Sequence, residues 1–237
     1  MRFPKLSFIT LASVTALNIA AAQSPTRPST FLGGALEFGA PQGDFSKYVH
    51  GAFGIGGHLI QSLDDDGIIA FRADLNILMY GRQTARQALG GGALSLIAVD
   101  VTTTNSLANG SVGLQLMAPN GVVRPYVTAG LGFSYFWTQS AVEGSDSNNT
   151  PFASTENYHD SGFATNWGGG LYIPVGLNDK LPISLDLGVQ MHKNADIQYL
   201  TEKSITFNGS NVPPTIRAVR SSADYITFRL SVTVAVR

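Results

Sequence analysis

Ile183-Ser184-Leu185-Asp186-Leu187-Gly188-Val189-Gln190-Met191-His192 alternates apolar and polar residues without a break. Successive side chains of a strand point to opposite faces, so this period of two reads as a strand with one apolar face and one polar face. The final segment repeats the pattern, with Ile226, Phe228, Leu230, Val232, Val234 and Val236 set against Thr227, Arg229, Ser231, Thr233 and Ala235. Ile69 to Ile77 does the same, with Arg72, Asp74 and Asn76 on the polar side. Five further segments fit less cleanly: 31–39, 52–60, 106–117, 122–138 and 163–175. Eight strands result, most near the ~9–11 residues that a tilted membrane-spanning strand needs.

The charges decide which face is which. None of the eight apolar faces carries Asp, Glu, Lys or Arg, whereas the opposite faces carry Glu37, Arg72, Asp74, Arg124, Asp186 and Arg229, together with His58. A soluble barrel would turn its charges outward to water. Charges confined to the polar face suit the inside of a membrane barrel, with the apolar face toward lipid. Connections between strands alternate long and short: 40–51, 61–68, 81–105, 118–121, 139–162, 176–182 and 193–224. The short ones carry turn chemistry, as in Asp64-Asp65-Asp66-Gly67, Ala118-Pro119-Asn120-Gly121 and Gly176-Leu177-Asn178-Asp179. Short turns on the periplasmic side and long loops outside are the habit of outer-membrane barrels.

Composition agrees. The chain has 237 residues, 13% of them charged against roughly 25% in an ordinary soluble domain. Its formal charge of -1 excludes an electrostatic nucleic-acid binder. The absence of Cys excludes disulfide scaffolds, thiol catalysis and thiolate metal sites. Arg2 and Lys5, the apolar run Leu6–Leu17 and Ala20-Ala21-Ala22 form the layout of a cleavable signal peptide over 1–22. Residues 23–30 read as a disordered lead-in, and 31–237 as the barrel.

Arg124-Pro125-Tyr126-Val127-Thr128-Ala129-Gly130-Leu131-Gly132-Phe133 resembles the R-P-Y-x-x-x-G-x-G strand of small bacterial outer-membrane β-barrel proteins. These are similar to the eight-stranded membrane barrel of outer membrane protein A and its short relatives. Phe71 to Leu75 and Tyr225 to Val236 resemble other strands of that family. The resemblance implies an all-β, antiparallel up-and-down transmembrane barrel in the outer membrane, folded there by the barrel-assembly machinery. No peptidoglycan-binding domain is expected after strand eight. The chain departs from the pattern in ending Val236-Arg237, where such barrels often finish with an aromatic residue.

Candidate functional residues follow from this frame. Glu37, His58, Arg72, Asp74, Arg124, Asp186 and Arg229 would share a narrow lumen, where unpaired ions are costly, so a network is expected. The first and last strands are neighbours in a closed ring, which makes Glu37–Arg229 the expected pair. The network reads first as a filled lumen, with a gated ion path or proton relay as the alternative. Gly54/Gly56, Gly130/Gly132 and Gly168/Gly170 sit on the inward face, giving room for Tyr126, Phe136, Tyr172 and the arginines. Tyr80, Trp137, Trp167 and Tyr225 lie near strand ends and read as interface aromatics. His159-Asp160 and His192, with Asp196 close by, are the groups a surface hydrolase would use, if His159 and His192 met at the mouth. No catalytic residue, metal ligand or cofactor is expected, and the Asp64–Gly67 turn lacks the spacing of a calcium loop. The expectation is a monomer in outer-membrane lipid, meeting an extracellular partner through 81–105, 139–162 and 193–224. Residues 93–101 are strand-like, either extending the third and fourth strands or making a ten-stranded barrel.

Overall fold

A computed structural model describes residues 30–88, 98–119, 121–143, 151–175, 183–206, 208 and 214–236. The signal peptide, most of the lead-in, Asn120, the Gly176–Asp179 turn, residues 93–97 and Arg237 lie outside the described residues. The strands are β1 (Thr30–Pro41), β2 (Ala52–Ser62), β3 (Ile69–Ala88), β4 (Ala98–Met117), β5 (Arg124–Glu143), β6 (Pro151–Pro174), β7 (Ile183–Asn194), β8 (Asp196–Tyr199), β9 (Ile205–Thr206), β10 (Thr215–Ile216), β11 (Val219–Ser222) and β12 (Tyr225–Val236). β1 to β7 and β12 form one closed antiparallel ring, in which β12 pairs with both β1 and β7. β8–β11 and β9–β10 are separate two-stranded pairs within the connection from β7 to β12. The barrel therefore has eight strands, and 98–101 belongs to β4.

Alternation sets the two faces of the wall. Leu36, Phe38, Phe53, Ile55, Leu75, Ile77, Leu114, Leu131, Phe133, Trp167, Leu187, Phe228 and Leu230 all point outward and are exposed. A contiguous apolar surface around the whole ring is far larger than a water-facing protein tolerates. Across the apolar belt the closed ring leaves no strand edge, the condition for strands to cross a bilayer. The chain is an eight-stranded transmembrane β-barrel.

The two ends differ. At one end the turn between β2 and β3 is short and self-capped: the Asp64 carboxylate accepts the Ile68 and Ile69 amides at 3.0 and 2.8 Å, and Gly67 takes φ 64°. At the other end β3, β4, β5 and β6 run on as strands well past the apolar belt, so 81–88, 98–105, 139–143 and 151–162 form a protruding wall rather than loops. There the chain also folds inward. A single 3-10 turn, Phe45–Lys47, drops Phe45 into the mouth, and β8 lays Ile197 and Tyr199 beside it.

Candidate functional site

The interior is built in layers. Toward the protruding end, Phe45, Leu78, Tyr80, Leu107, Phe136, Ile197, Tyr199 and Tyr225 pack into one buried apolar cluster. Phe45 makes edge contacts with Tyr80, Phe136 and Tyr199 at ring separations of 5.6, 6.0 and 5.1 Å. At the short-turn end Met117, Tyr126 and Tyr172 form a second cluster, with Phe31 against it. The charged residues sit between these two closures.

Six side chains there form a connected group across the lumen. Arg229 Nη1 donates to Asp74 Oδ1 at 2.6 Å, and Arg72 Nε donates to Asp74 Oδ2 at 2.9 Å. Arg72 also donates to Gln115 Oε1 at 2.7 Å and lies 3.7 Å from Asp186 Oδ2. Tyr126 OH donates to the other Asp186 oxygen at 2.5 Å, with the Arg72 guanidinium over its ring. Side chains from β12, β3, β7 and β5 are thus tied together through the middle. His58 joins at the rim of this layer, sharing a hydrogen bond with Thr233 at 3.0 Å.

Two members of the expected network are placed differently. Glu37 lies opposite Arg229 in the β1–β12 register, but no ion pair joins them among the described residues. Arg229 instead reaches Asp74, and the Glu37 carboxyl rests against Gly56 and Asn76. Arg124 is not in the lumen chain. It donates to the carbonyls of Ala118 and Gly67 at 2.7 and 3.1 Å, clamping two short turns together.

The inward glycines make the space for these side chains. A Cβ on Gly170 or Gly188 would meet Tyr126 OH at 2.6 or 2.8 Å, and one on Gly56 or Gly33 would collide with Glu37 or His58. Gly54, Gly132 and Gly168 press against the backbone of the neighbouring strand, so any side chain there would push strands apart.

The interface aromatics divide. Trp137 and Trp167 face outward; Tyr80 and Tyr225 are buried inside the barrel, a correction to their reading as interface residues. Tyr225 stacks on His192 at 4.5 Å, and Tyr80 donates to the Leu200 carbonyl at 3.1 Å. His192 belongs to β7 rather than to a loop, is fully buried and shares a hydrogen bond with Thr227 at 3.1 Å. His159 lies outside the wall, stacked on Tyr135, so the hydrolase pair is not formed. Asp160 is a structural acceptor for the amide of Gln198 at 2.8 Å. Among the described residues no group of three His, Cys, Asp or Glu could hold a metal.

Sequence reasoning missed the bulge at which β6 slips against β5. Thr138 pairs with Tyr158, and Gln139 with Glu156, leaving Asn157 as the extra residue. His159 faces outward opposite Trp137, and the extra residue puts Glu156 on the same face, with Glu156 Oε1 2.6 Å from His159 Nδ1.

A closed ring of eight antiparallel strands, apolar outside and charged within, defines a small transmembrane barrel whose lumen is filled. Solved structures similar to this chain include Ail, the attachment invasion locus protein of Yersinia pestis, at 12% identity and TM-score 0.43, covering 87% of this chain and 95% of that one. Neisserial surface protein A is similar at 10% identity and TM-score 0.40, covering 87% and 97%. A major outer membrane protein from Thermus thermophilus is similar at 11% identity and TM-score 0.42, covering 85% and 98%. No family model matches the chain, and no curated protein matches it.

Proposed function

We propose that this chain is a non-enzymatic outer-membrane protein that acts by contact at the cell surface, through the wall of β3 to β6 that stands above the membrane. On this reading the signal peptide over 1–22 directs export, the barrel-assembly machinery inserts a monomer, and outer-membrane lipid surrounds the apolar belt. The barrel is then a rigid mount for the protruding wall.

The observation that carries the reading is an open strand edge. β2 pairs with β3 only as far as Phe53–Met79, so Gly81–Ala88 has β4 on one side and no strand on the other among the described residues. Its unpaired backbone groups are a template for strand addition by an extended segment of a partner, a common mode of peptide recognition. Exposed Arg82 and Arg86 on this segment favour an acidic partner. The alternative, a narrow channel, is opposed by the packed aromatic closure at one end and the Met117–Tyr126–Tyr172 closure at the other.

The test compares cells displaying the full chain with cells displaying a variant in which residues 84–102 are replaced by an Asn-Gly turn. Retention on a serum-coated surface should fall several-fold in the shortened barrel. Equal retention would contradict a contact role for the wall.

A further inference from the structure

The outside of the wall changes character over three successive rows, read across β3, β4, β5 and β6. Ile77, Ala108, Tyr135 and Ser161 are followed by Met79, Ser106, Trp137 and His159, and then by Arg82, Thr104, Gln139 and Glu156. On β5 and β6 the last phenylalanines of the outer face, Phe133 and Phe163, lie just below, in edge contact at 5.8 Å. The boundary between lipid tails and headgroups therefore falls at the Trp137–His159 row.

At that row three rings pack against one another on the outer face of the wall. Tyr135 stacks on Trp137 at 5.7 Å and 27°, and on His159 at 5.8 Å and 29°. Glu156 edges the group, 2.6 Å from His159 Nδ1 and accepting from Tyr135 OH at 3.4 Å. An interfacial girdle needs only the Trp and the Tyr. It needs neither His159 nor Glu156, nor the bulge at Asn157 that brings Glu156 onto the outward face of His159, and bulges are devices for re-aiming side chains.

We propose that Tyr135, Trp137 and His159 form a platform that stacks a neutral sugar ring in the headgroup of an outer-leaflet lipid, with Glu156 and Gln139 accepting and donating hydrogen bonds at its hydroxyl edge. A sugar ring offers an apolar C–H face and a rim of hydroxyls, which matches an exposed aromatic group edged by a carboxylate and an amide. The Glu156 carboxylate disfavours a phosphate at the same place. Arg82 lies three strands away, about 14 Å at the usual strand spacing, too far to offset it.

The chain has two tryptophans, so Trp167→Phe leaves Trp137 as the sole reporter. That protein is placed in phosphatidylcholine nanodiscs containing either a monogalactosyl diacylglycerol or the same diacylglycerol without sugar. Saturable quenching of Trp137 is expected only with the galactolipid, and free galactose should not reproduce it at equal concentration. His159→Ala or Glu156→Ala should weaken the response roughly three- to tenfold, the worth of one aromatic or hydrogen-bonded contact. Identical emission in the two discs, or an unchanged response in both variants, overturns the proposal. The platform rests on the outer-membrane reading, which is scored separately by a heat-shifted band in the membrane fraction. A protein that inserts but ignores the sugar lipid defeats the platform alone.

Discussion

Arg229 stands directly across from Glu37 at the seam where the ring closes, yet its guanidinium is bound 2.6 Å away to Asp74 on β3. The acceptor is shared, since Asp74 also takes the Nε of Arg72. Register fixes which Cα atoms are neighbours. In a lumen this narrow, a long side chain chooses among acceptors from several strands.

Removing Asp74 should therefore cost more than removing Glu37. Asp74→Asn leaves two buried guanidinium groups short of a counter-charge, a loss of about 3–5 kcal/mol by analogy with broken buried pairs. Glu37→Gln breaks no ion pair and should cost clearly less. Urea unfolding of both variants in the same micelles compares them, and a larger loss for Glu37→Gln would refute the assignment.

Gly188 is the test of lumen crowding. The atoms nearest its added Cβ belong to side chains, Tyr126 OH at 2.8 Å and the Arg229 guanidinium at 3.3 Å. Gly188→Ala should destabilise by about 1–3 kcal/mol, the usual cost of overpacking. In a Tyr126→Phe background that cost should shrink, because the colliding oxygen is gone. A double-mutant cycle reads the coupling directly, and strict additivity would mean the two residues do not press on each other.

The mouth and the lumen make separable predictions. Phe45→Ala should loosen the cluster by about 3–5 kcal/mol and make the segment 195–206 more sensitive to added protease. It should not open a steady ion conductance, because the Met117–Tyr126–Tyr172 closure remains at the other end. Planar-bilayer recordings of wild type and variant should both be silent. Sustained current in the wild type would favour the channel.

One turn carries a pH dependence. The Ile69 and Ile68 amides hold the Asp64 carboxyl below its ordinary value. A depressed carboxylate contributes stability that is fully present above the unfolded value of about 3.9, and that is lost as pH falls through the lower folded value. The protection factors of the Ile68 and Ile69 amides, each taken against the intrinsic exchange rate at the same pH, should fall across that acidic window and stay level between neutral pH and pH 5. Asp64→Ala should show the low protection at every pH.

The strands were legible because lipid outside and polar packing inside imprint a period of two along each crossing. That contrast fades above the belt, where both faces of the wall meet water, so 82–88 and 102–105 read as loop although they continue β3 and β4, and only 93–101 reads as strand-like. Tyr80 and Tyr225 are a different lesson. The alternation of Ile226, Phe228 and Leu230 already puts Tyr225 on the inner side, and that of Ile77 and Met79 does so for Tyr80. Nearness to a strand end was the weaker signal. The bulge at Asn157 leaves no trace in the pattern, since one extra residue only shifts a phase that the sequence there no longer displays.

The apolar faces either meet lipid or form a core, and one measurement separates the two most directly. Electrophoresis of the outer-membrane fraction, with and without boiling, should give a compact band that shifts on heating, because a closed strand ring resists detergent until heated. A single unshifted band in the soluble periplasm would contradict the account: the faces would be inverted, and the apolar residues would line a core.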